Sequence, residues 1–136
     1  MSNDVPEYKR AEAVKEDANK AYDAMRAICH DLPHNVSAPT VYSLTGNLKL
    51  ASGYILRDAL AGMVSGLSRS LIDLDNYSND DSETPAVAIA KANAHLEKAA
   101  ALAAQIGDEL SAAQVAINNV GYREPGDPNY RKPEGR

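Results

Sequence analysis

The 136-residue chain is 44% hydrophobic and 24% charged, enough for one domain with a core and too short for two ordinary ones. Its net charge of −5 and pI near 5.1 argue against a nucleic-acid surface. The chain has no Trp and no Phe, and 13 of residues 86–116 are Ala, which suits closely packed helices and suits a sheet poorly.

The N-terminus shows no basic region followed by an apolar run, so no signal peptide is expected. The first helix is predicted over about 5–32. Asp4 is positioned to cap it, with Glu7 three residues on completing a capping box and Pro6 in the first turn. From Ala11 the apolar positions run Val14, Ala18, Ala21, Met25, Ile28 and Leu32, a 3-4 rhythm that marks a helix packed along its length. Pro33 ends it, because proline disfavours helical geometry in Leu32 and cannot donate to the ladder.

A second helix is predicted over 38–74, capped by Ser37 or Asn35 and with Pro39 in its first turn. Its apolar positions are Val41, Leu44, Leu48, Ala51, Ile55, Ala59, Met63, Leu67, Leu71 and Leu74. A second set, Leu56, Leu60 and Val64, widens the stripe, so this helix is expected to be covered on more than one side. Gly46, Gly53, Gly62 and Gly66 each cost about 1 kcal/mol of helix propensity against Ala, which calls for a packing reason. Gly62, Gly66 and Ser70 share one face that would allow close backbone approach. The stretch 59–68 carries no charge but falls short of the roughly 18 residues a membrane span needs. An interface with a second copy is expected there, around Leu60, Gly62, Val64 and Gly66, since two-fold dimers are the commonest assembly.

Residues 75–84 are polar and acidic and read as the hairpin loop. Thr84 then caps a third helix over 85–120, with Pro85 at its first position. Ile89, Ala92, Leu96, Ala99, Ala103, Ile106, Leu110, Ala113, Ile117 and Val120 form its expected seam, stopped by Gly121. Helices two and three match in length, each about 50 Å at 1.5 Å per residue, and are joined by a short loop, so they should pair antiparallel. Helix one can lie alongside as the third member. The expected fold is all-α: an antiparallel three-helix bundle with a long coiled-coil-like hairpin. One domain should span 1–121, followed by a disordered Pro/Gly-rich tail over 122–136.

The chemistry-bearing residues point away from catalysis. Cys29, His30 and His34 lie close in sequence, but Cys29 and His30 project about 100° apart and His34 lies beyond Pro33, a poor fit to zinc spacing. A calcium loop starting at Asp73 would need an oxygen ligand, Gly and Glu where the chain has Tyr77, Ser78 and Thr84, so that motif fails. The remaining acids, Asp75, Asp80, Asp81 and Glu83, read as a solvated loop. His95 flanks the third seam, and no nucleophile elbow or phosphate loop is present. No enzyme, metal, cofactor, nucleic-acid partner or membrane partner is expected. The single cysteine cannot form an internal disulfide, which makes a reducing cytoplasm the expected compartment.

The composite expectation is a non-enzymatic helical interaction or structural protein that associates with itself or docks another helical protein. A helical-bundle ligand or metal protein is the least favoured alternative, because the seams lack inward Glu-x-x-His pairs. Another alternative comes from the tail. Tyr130-Arg-Lys-Pro-Glu134 resembles the Tyr-x-x-x-Glu signal that follows the helical hairpin in small type VII secretion substrates. The resemblance implies an exported helical protein with Tyr130 and Glu134 as its signal. Those substrates also carry a Trp-x-Gly turn, and this chain has no tryptophan.

Overall fold

The computed structural model describes residues 5–78 and 83–133. Contacts gather the chain into two compact units, Met1–Val36 and Ser37–Arg136, and each is described by itself.

The first unit is one helix, α1 (Glu7–Asp31), closed by Leu32 ahead of Pro33. It begins at Glu7 with Pro6 as the flanking residue and no side-chain cap, later than the capping box would place it; Asp4 lies outside the described residues. The Pro6 carbonyl instead accepts from the amides of Lys9 and Arg10, and Arg10 Nε donates to the Val5 carbonyl at 2.8 Å. None of its residues is buried.

The second unit is an all-helical bundle. The predicted second helix is divided into α2 (Ala38–Leu48), a π-helical segment (Lys49–Tyr54), α3 (Ile55–Arg69) and a 3₁₀ segment (Ser70–Asn76). Ser37 caps α2, its hydroxyl accepting from the Thr40 amide at 3.4 Å. At the far end, Asp73 leaves helical geometry at φ −115°, ψ 27°. The third predicted helix is α4 (Pro85–Ala116), capped by Thr84, whose side chain accepts from the Val87 amide. It stops at Ile117, four residues before Gly121, and no glycine takes positive φ among the described residues.

Both α2 and α3, with the π segment between them, pack along α4. Side-chain bonds give the register: Gln114 Nε2 donates to the Tyr42 carbonyl at 3.2 Å, Tyr54 Oη to Asp108 Oδ1 at 2.6 Å, and Asn93 Nδ2 to Ser68 Oγ at 3.0 Å. Numbers rise along one partner as they fall along the other, so the two run in opposite directions.

The closest approach is backbone on backbone. A Cβ built on Gly53 would lie 2.6 Å from Gly107 Cα and 2.9 Å from its amide nitrogen. Both glycines are buried, and Ala103, 2% exposed, is the only buried hydrophobic residue among those described. This crossing gives Gly53 the packing reason its helix cost requires.

Two parts of the expected seams are corrected by it. On α4 the inward row is Ile89, Asn93, Leu96, Ala100, Ala103, Gly107, Leu110 and Gln114, all buried or half-buried, whereas Ala92, Ile106, Ala113 and Val120 are exposed. Small Gly107 sits at the crossing, and that choice turns Ile106 to one side. On the other partner Val41, Leu44, Thr45 and Leu48 face inward before the π segment, Gly53 within it, and Leu60, Val64 and Leu67 after it, while Ala51, Ile55, Ala59 and Met63 are exposed. A π turn holds an extra residue, so beyond it the inward row takes Leu60 and Val64 of the second predicted set before returning to Leu67 of the first.

The tail has no helix through Pro133, yet it is not featureless. Asp127 and Tyr130 amides donate to the carbonyls of Glu124 and Asp127, both at 2.9 Å. The Asn129 amide donates to Asp127 Oδ1 at 2.7 Å, the Asx turn that composition alone does not reveal.

Candidate interaction surface

The hairpin has two unlike sides, and the register shows which residues share each. Tyr54 and Asp108 stand one residue after Gly53 and Gly107, roughly a quarter turn round from the inward rows. Their hydrogen bond marks that side as common to both helices. Polar cross-links collect there: the Arg57 guanidinium lies 5.3 Å from the centre of the Tyr54 ring, and Asn93 reaches Ser68 on the same side. The bond to the Asp108 carboxylate raises the Tyr54 pKa above its ordinary value of 10.0, with desolvation adding to it. A raised tyrosine pKa means that folding favours the neutral phenol. The stabilisation is complete below pH 10.0 and lost as pH rises through the folded-state value. Tyr54→Phe should therefore flatten the alkaline limb of melting temperature against pH; a limb as steep as in the parent would show that the bond does not hold in solution.

One residue before each inward row, the same rotation in the opposite sense reaches the other side on both helices. Here α3 presents Ala59, Met63 and Gly66, and α4 presents Ala88, Ala92, His95, Ala99, Leu102, Ile106 and Ala113. Leu56 borders this stripe. The large members are open to solvent: Met63 is 53%, Leu102 57% and Ile106 47% exposed. By the same rule Glu109 precedes Leu110 and stands about 20° round from Leu102, at the edge of this face, and the Arg69 guanidinium reaches to 4.0 Å from the Gly66 Cβ position near its end. His95 thus lies within the face and the charged groups stand at its edges, an arrangement unlike the charged outer stripe of an ordinary surface helix.

The residues expected to form an interface are separated by this geometry. Leu60 and Val64 are half-buried in line with Gly53 and face α4. Gly66 lies on the uncharged face, with only Arg69 Nη2 near its missing Cβ, at 4.0 Å. Gly62 is exposed and open, with nothing within 4 Å of that position. The signal that sequence reading missed was the set just before each inward row. It could have been found only by knowing the register.

Elsewhere, Cys29 is exposed, and His30 Nδ1 lies 3.1 Å from Asp31 Oδ1 on the open surface of α1. Among the described residues no group of three His, Cys, Asp or Glu could hold a metal ion; Asp80 and Asp81 lie outside them. No described helix is long and apolar enough to cross a membrane. In the tail, Tyr130 hydrogen-bonds Tyr122, which raises the Tyr122 pKa. Both line an open concavity of about 620 Å³ with Arg123, Asn129 and Arg131. Glu134, the other half of the expected signal, lies outside the described residues. No protein-family model matches the chain, and no significant match is found among curated proteins or solved structures.

Proposed function

We infer that this chain is a non-enzymatic interaction protein whose hairpin docks helical surfaces, its own copies included, through the uncharged side of α3 and α4. The observation that carries this reading is the exposure of Met63, Leu102 and Ile106 together on one face. A contiguous apolar patch of this kind marks a protein contact. The acidic net charge and the lone Cys29 support a cytoplasmic setting and a protein partner rather than nucleic acid.

The double variant Leu102→Glu/Ile106→Glu tests it. Wild-type protein at high micromolar concentration should run above monomer mass by light scattering. The variant should run as a monomer with unchanged helical circular dichroism. Monomeric wild-type protein would remove self-association from the reading.

A further inference from the structure

We propose that the occupant of the uncharged face is the same face of a second copy, the two hairpins packing into a four-helix assembly about a two-fold axis that crosses the helices at Ala99. The proposal rests on the docking reading above and names its partner. Three features carry it. The charged groups at its edges, Glu109 and Arg69, fall level with Ile89 and Gly53 of the other chain and not with their own copies, so laying the face on itself brings no like charges together, although the chain as a whole carries −5. Its size is also right. The paired length from the Tyr42–Gln114 bond to the Ser68–Asn93 bond is about 32 Å along α4 and about 39 Å along its partner at 1.5 Å per residue, and two helices of about 10 Å are some 20 Å wide. The resulting footprint of about 700 Å² is within the range each partner gives to a stable interface of standard size.

The third feature is shape. Gly53 opposite Gly107 sets a register in which Ala99 lies level with residue 61. An axis at that level, perpendicular to the helices and between the two layers, sets each α3 antiparallel on its copy and each α4 likewise. Leu56 then lies over Gly66 of the other chain, Met63 over Ala59, and Ile106 over Ala92. Large side chains meet small ones at each of these places, the ridge-into-hollow condition for close helix packing, and Ala99 meets its own copy.

The test uses full-length protein carrying Cys29→Ser, with Ala99→Cys added in one variant and Ala101→Cys, on the outer surface, in another. Facing helix residues at a two-fold axis fall within the separation of less than 7 Å that a disulfide needs. Mild oxidation should convert most of the Ala99→Cys protein to a covalent dimer on a non-reducing gel and leave the Ala101→Cys protein almost wholly monomeric. Circular dichroism and light scattering on the reduced proteins establish that both fold and associate like the parent. Association without cross-linking at position 99 overturns this pairing and leaves the docking reading standing. Equal cross-linking at both positions reports random collision and also overturns it. Reduced protein that does not associate overturns both.

Discussion

Gly53→Ala should destabilise the fold by about 1–3 kcal/mol, while Gly62→Ala should stabilise it by up to about 1 kcal/mol. Both exchanges gain helix propensity, because alanine loses less backbone freedom on folding than glycine. The surroundings decide the sign. At Gly53 the new methyl would stand 2.6 Å from Gly107 Cα, and backbone cannot move aside as a flexible side chain can. The α2–α3 strand of the hairpin must lift from α4, loosening the Ala103 contact and the Tyr54–Asp108 bond. At Gly62 nothing lies within 4 Å, so only the propensity gain remains. Gly107→Ala belongs with Gly53: its methyl would meet the Tyr54 ring at 2.7 Å. Urea melts of the three variants check this. A stabilised Gly53→Ala protein would mean that the helices cross elsewhere.

The second large effect separates two neighbouring rows of α4. Leu110→Asp should cost about 2–4 kcal/mol, since it places a charge in the half-buried inward row and deletes apolar contact there. Ile106→Asp should cost well under half as much, because Ile106 is 47% exposed on the uncharged side. Its effect should fall on association instead. Thermal melts read the first quantity and light scattering the second. Equal loss of stability in the two variants would show that α4 is rolled differently against its partner.

How much of this was legible in the residues can be judged position by position. Ser37, Thr84, Pro33 and Pro85 act locally, through capping hydroxyls and missing amide protons, and three helix ends fall where they point. The all-helical class follows from alanine content and from long 3-4 spacing, which no strand can satisfy. The hairpin follows from two helices of matched length and a polar loop. Asp4 and Gly121 were less reliable guides. Caps at chain ends compete with whatever geometry nearby residues adopt, and α1 begins on the Pro6 carbonyl while α4 ends at Ile117.

The chain by itself determined that it is helical, where three of its helix ends fall, and that the second predicted helix carries more apolar positions than one contact can cover. Which of those positions face inward was decided only by the tertiary structure. An apolar stripe wider than one seam fits a partner at more than one rotation, and spacing cannot choose among them. The choice was made by the Gly53–Gly107 crossing, where two backbones meet without side chains between them, and by the π segment, whose extra residue shifts the inward row of the second helix. Those two features turn Leu60 and Val64 inward and leave Met63, Leu102 and Ile106 together on the open side.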